Sequence, residues 1–262
     1  MNLSNLILFL LLVIFGLFFY NNFLKILNKY NPKLLIDAQF SKPQAFHEYP
    51  ISVAGGTGIF LLFLIVYFNF LFFKNIIFFE YLSICTFIFF LGFFDDVKIN
   101  IKPKYRLALM IIFLLALMKY NNFYLERTGI EILNYWLENS EIFSLIFICL
   151  CFLFVINGSN LIDGYNGLLC LHSLIIFTNL FLINYFNANN DLANLLFFMI
   201  VILIIFLSFN FPKAKVFLGD SGSYFLGAFI AISTIKTSIA NPSISPFYFC
   251  ILLFYLFFEV FF

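Results

Sequence analysis

The chain has 262 residues, 64% hydrophobic and only 10% charged, with 44 phenylalanines and a formal net charge of +1. Soluble domains carry roughly 25% charged residues, so this composition excludes a water-soluble fold, and disorder, collagen-like repeats and coiled coil with it. The near-neutral charge gives no electrostatic footprint for nucleic acid. An all-α polytopic membrane protein remains, because a membrane β-barrel shows alternating segments of about ten residues instead of long apolar runs.

Nine apolar runs follow in chain order, over residues 2–20, 51–70, 76–94, 106–118, 141–156, 167–186, 192–209, 224–240 and 245–262. Each predicts a membrane helix, about nine in all, within a single domain over 1–262. The first run lacks a basic leading region and a small-x-small cleavage site, so it reads as a retained span. The longest polar segments are 21–50, 95–105 and 119–140. The five cysteines all lie in apolar stretches without metal spacing and read as small hydrophobes.

Lys and Arg set the orientation. With the N-terminus extracytoplasmic, the inner loops hold Lys25, Lys29, Lys33, Lys42, Lys98, Lys102, Lys104, Arg106, Lys213 and Lys215, ten against Lys74, Lys119, Arg127 and Lys236 outside. Asp95, Asp96, Asp163 and Asp220 then all fall at cytoplasmic ends of spans. One carboxylate at a helix end is ordinary, but four on one face are costly to desolvate unless paired, hydrated or bound to a cation, and they predict one site.

Three polar segments carry that site. Asp95-Asp96, followed by Lys98, Lys102, Lys104 and Arg106, suits a cation that bridges phosphate oxygens while bases hold the remaining anionic charge. The stretch Asn157 to Gly167, read as a loop between two spans, holds three Asn, one Ser, one Asp and three Gly, more hydrogen-bonding groups than a plain turn needs. In Asn210 to Ser223, Asp220 and Ser221 precede the next apolar run, where a helix N-cap would sit. His47 and the Gly55-Gly56 pair flank the start of the second run, and His172 inside a span reads as serving a helix neighbour.

In this order the segments resemble the polyprenyl-phosphate N-acetylhexosamine-1-phosphate transferase family, glycosyltransferase family 4, from about Asp37 to the end. The resemblance rests on Asp95-Asp96, on Asn157 to Gly167 against the pattern Asn-x-x-Asn-x-x-Asp-Gly-x-Asp-Gly, and on Phe217-Leu-Gly-Asp-Ser-Gly-Ser223. It implies transfer of a sugar 1-phosphate, GlcNAc-1-phosphate first among donors, from a UDP-sugar to undecaprenyl phosphate with release of UMP, in the bacterial cytoplasmic membrane. It further implies Asp95 and Asp96 as the catalytic pair, and Asp220 with Asp163 on Mg²⁺ or Mn²⁺. Asn160, Asp163, Gly164, Asn166, Asn210, Phe217 and His47 become substrate-binding residues, with Phe217 stacking on uracil.

UDP-sugar, polyprenyl phosphate and the bilayer are the implied partners, with a homodimer left open. Asn166 stands where the family has a second Asp and brings no charge. The family continues with a His-rich loop and a further span, which implies a chain truncated at the C-terminus or an inactive fragment. The other class is a transporter or channel, but its carboxylates belong near mid-membrane and its spans in inverted repeats, neither of which this pattern shows.

Overall fold

The computed structural model describes residues 3–30, 35–37, 51–99, 101–125 and 127–261. In a bilayer each backbone N–H and C=O must be satisfied within its own segment, and the apolar runs accordingly become helices. These are α1 (Leu3–Tyr30), α2 (Gly55–Lys74), α3 (Phe79–Asp96), α4 (Pro103–Tyr120), α5 (Glu131–Asn139), α6 (Glu141–Ile162), α7 (Leu168–Phe186), α8 (Asn190–Asn210), α9 (Gly219–Ala240), α10 (Pro246–Leu252) and α11 (Phe254–Phe258). Two-residue strands, β1 (Ile36–Asp37) and β2 (Ile51–Ser52), pair antiparallel before α2. The chain is an all-α multi-pass membrane protein.

Six helices among the described residues are long and apolar enough to cross a membrane: the Leu3–Asn22 part of α1, and α2, α6, α7, α8 and α9. Of the other three predicted spans, α3 carries Glu80, Asp95 and Asp96, and α4 carries Lys104, Arg106 and Lys119. The run over 245–262 breaks at Leu253 into α10 and α11. Local chemistry sets several starts: Pro103 opens α4, and the Ser140 and Ser245 hydroxyls accept the Phe143 and Phe247 N–H groups to cap α6 and α10.

The structure corrects two readings. Residues 157–162 are the last turns of α6, not a loop, and only 163–167 turn. Asn157 stays helical by donating its amide N–H back to Leu153 O (2.7 Å). The segment over 119–140 also contains a helix the apolar pattern missed. In α5 the buried Leu137 packs inward while Ile132, Tyr135 and Trp136 are exposed, an arrangement suited to the aromatic belt of a membrane boundary.

α9 is the least apolar of the six spanning helices and the most buried, packed against α2, α3, α6 and α7. Neighbours, not lipid, surround it, so its Ser, Thr and Gly side chains are tolerated and let backbones approach closely. A Cβ on Gly56 of α2 would lie 2.2 Å from Gly222 N, and one on Gly227 would lie 2.7 Å from Ile156 Cα on α6.

Backbone cannot yield as a side chain can. Gly56→Val is therefore expected to cost about 3 kcal/mol or more, read as a large drop in the detergent melting temperature. Gly164→Ala, whose Cβ meets nothing within 4 Å, is the tolerated control. Equal melting temperatures would show that α2 does not seat on α9 through Gly56.

At the end of the bundle remote from Asp95, α9 is fastened by polar contacts. Tyr81 donates to Ser233 Oγ (3.2 Å), and Lys236 ion-pairs with Glu80. Asn184 donates to Thr237 Oγ1 (2.8 Å), and Asn189 to Asn241 Oδ1 (3.2 Å). Interhelical hydrogen bonds of this kind contribute roughly 0.6–2 kcal/mol each in membranes.

Candidate active site at the junction of α3, α4 and α9

Asp95 and Asp96 close the last turn of α3, and Arg106 lies in the opening turns of α4. All three oppose their helix dipoles, because acids are disfavoured at a C-terminus and bases at an N-terminus. They compensate one another across the junction. Arg106 Nη1 ion-pairs with Asp95 Oδ2 and lies 3.6 Å from Asp220 Oδ2, so one guanidinium links α3 to α9. The guanidinium sits over the Tyr224 ring, 5.3 Å from its centroid, in cation–π geometry.

Asp220 is carried by the first turn of α9, and the N-cap of that helix is Leu218, not Asp220 or Ser221 as the sequence suggested. The shift follows from how the chain enters the helix. Phe217 N–H donates to Ser52 O (2.7 Å), and Gly55 and Gly56 N–H donate to Phe217 O (2.9 Å) and Leu218 O (2.7 Å). Gly219 then turns with φ +77, a conformation that favours glycine. Asp96, 9% exposed, accepts the Asp220 N–H at Oδ1 (2.8 Å) and the Ser221 N–H at Oδ2 (3.0 Å).

The end of α6 completes this side. Asn160 Oδ1 accepts from Ser223 Oγ at 3.2 Å. Asp163 is the C-cap of α6. Desolvation pushes its carboxyl well above the usual carboxylate range, and the charges of Asp220 and Asp96 push it the same way. Asp95, Asp96, Asn160, Asp163 and Asp220 thus share one region.

The remaining candidates serve the neighbouring loop. Asn166 Nδ2 donates to Pro212 O (3.2 Å), and the buried Asn210 donates to Val216 O (2.8 Å), closing the chain between α8 and α9. Phe217 contributes its backbone to the entry of α9. Gly164 lies in the open turn after α6. His47 lies outside the described residues. His172 packs edge-on against the Tyr255 ring, with centroids 5.5 Å apart.

Two contributors escaped the residue pattern. Arg106 read as one of several bases; Pro103 as the first residue of α4 is the signal that sets it one turn inside the helix. Tyr224 read as part of an apolar run and had no signal of its own. Among the described residues, no three His, Cys, Asp or Glu side chains gather closely enough to hold a metal by themselves.

The sequence model of the family described as glycosyl transferase family 4 matches residues 77–238. The chain belongs to that family. All three acids of the α3–α9 junction lie inside the matched stretch, as do Asn160, Asp163 and Arg106.

Among known proteins, this family 4 chain is 34% identical over 207 residues to the phospho-N-acetylmuramoyl-pentapeptide-transferase of Dictyoglomus turgidum, covering 74% of this chain and 62% of that protein. It is 31% identical over 153 residues to the protein of that name from Nitratiruptor sp., covering 52% and 43%. To the one from Leuconostoc citreum it is 40% identical over 83 residues, covering 32% and 26%. The chain spans at most 62% of the length of these relatives.

Proposed function

We propose that this chain transfers an N-acetylhexosamine 1-phosphate from a UDP-sugar to a polyprenyl phosphate, with the carboxylate end facing the cytoplasm of a bacterial cell. The observation that carries the reading is the Asp95–Arg106–Asp220 bridge across α3, α4 and α9. Transfer between two anions needs alignment and charge neutralisation more than covalent chemistry. A lipid-phosphate oxygen forms a bond to the β-phosphorus of the donor, and the bond to the α–β bridging oxygen breaks, leaving its electron pair on UMP. Asp95 positions the incoming phosphate, Arg106 offsets the anionic charge, and Asn160 and Asp163 line the donor side.

The donor set suits Mg²⁺. Hard carboxylate oxygens are its ligands, and it commonly takes one or two carboxylates with water and substrate phosphate completing the shell. Desolvation first, and the charges of Asp220 and Asp96 second, hold the Asp163 carboxyl above the usual range, and a divalent cation beside it would favour the ionised form. Asp220 with Asp163 would hold the ion. When bound, it neutralises the pyrophosphate charge of the donor.

On the donor, the Phe-Pro-Lys-Ala-Lys stretch and Asp37 to Pro50 resemble the GlcNAc-type branch of the family, while the names of the relatives favour the N-acetylmuramoyl-pentapeptide sugar. One assay separates them: UMP release by the detergent-solubilised protein with undecaprenyl phosphate and Mg²⁺, each UDP-sugar in turn, and EDTA as control. EDTA-sensitive release with either donor supports the class and names the sugar, whereas no release with any UDP-sugar overturns it. In the same assay the exposed Lys213 is expected to matter little. Lys213→Ala should change the rate by less than about threefold, as exposed peripheral charges do; a loss as deep as that of Asp220→Asn would place Lys213 on substrate.

A further inference from the structure

The resemblance assigns Asp95 and Asp96 one shared role, and the geometry separates them. Asp95 faces Arg106. Asp96 turns to α9, whose N-cap, Leu218, offers no side-chain acceptor for the helix's opening N–H groups. Such groups are left without partners unless something outside the helix accepts them. Asp96 accepts two of them, one on each carboxylate oxygen.

The surroundings are shaped to that contact. A Cβ on Gly219 would lie 2.8 and 2.9 Å from the two Asp96 oxygens. A Cβ on Gly92 would lie 2.3 Å from Asp220 O. Glycine on both helices is what lets the carboxylate reach the turn.

Resting on the function proposed above, we infer that Asp96 is a positioning residue: from α3 it caps α9 and so fixes Asp220, without contacting phosphate or cation. Bonds from helix N–H groups to a carboxylate are charge-assisted and directional, so the cap sets both where α9 begins and where the Asp220 side chain points. Asp96 and Asp95 are adjacent in sequence but act on different partners.

The test uses the whole protein with two readouts. By hydrogen exchange, Asp96→Ala should raise the exchange of the Asp220 and Ser221 amides by about tenfold or more, while Asp95→Ala leaves them protected. By UMP release, Asp96→Asn, which keeps one acceptor oxygen, should stay within about tenfold of the wild type, while Asp95→Asn loses far more. Unchanged amides in Asp96→Ala overturn the inference. So does an Asp96→Asn protein as inactive as Asp95→Asn with those amides still protected; inactivity accompanied by faster exchange supports it.

If Asp96→Ala does not fold, the two readouts on Asp96→Asn decide. If the wild type transfers no sugar phosphate, the function proposed above fails, and the exchange measurement still decides the cap.

Discussion

Asp220→Asn is expected to lower Mg²⁺-dependent UMP release by about a hundredfold to a thousandfold, the scale on which a preorganised charge at a reacting centre contributes. The carboxylate is 40% exposed and Arg106 is 3.6 Å from one of its oxygens. Asparagine keeps the shape and removes the charge. The backbone N–H of the same residue holds the cap with Asp96, so the substitution should leave the melting temperature nearly unchanged. Activity and stability therefore separate at this position. A rate within threefold of the wild type would remove Asp220 from the chemistry; a rate lost along with the fold would make its side chain structural.

Arg106→Ala is the second large effect, with an expected loss of about a hundredfold. Here stability should fall too, since truncation leaves Asp95, 16% exposed, at the C-terminus of α3 without its cation. Arg106→Lys discriminates the causes. Lysine restores a positive charge to Asp95 but is a point charge, without the planar guanidinium that lies over Tyr224 and brings Nη1 to both carboxylates. It should recover the melting temperature more fully than the rate. Full recovery of both would reduce Arg106 to a counter-charge, and an Arg106→Ala protein of normal rate would take it out of the site.

The family was legible because its chemistry is written in contiguous residues. Asp95-Asp96, the stretch from Asn157 and the run from Phe217 could be read without knowing which helices touch. What escaped depends on touching. Leu218 as the cap of α9 follows from hydrogen bonds to Ser52 and Gly56 across more than 150 residues of chain. Arg106 is distinguished from Lys104 by the side of α4 that meets α3, and from Lys102 by lying inside the helix that Lys102 caps. The extension of α6 through Asn157 to Ile162 was hidden because Asn and Gly weigh against helix, whereas packing against Leu256 and Gly227 favours small residues there. Helix α5 went unread because its nine residues are too short to stand out by pattern against a polar surround.

α9 is gripped at both ends: by Asp96 at Ser221, and by Tyr81 and Glu80 at Ser233 and Lys236. At about 1.5 Å per residue the two grips lie roughly 18–22 Å apart on one rigid rod. Adding or removing one residue turns everything beyond it by about 100°, so no register satisfies both grips except the native one. Insertions and deletions between Gly222 and Ile232 should be lethal to the fold even where each new residue is apolar. Length is held in α9 as tightly as the small residues at Gly222 and Gly227.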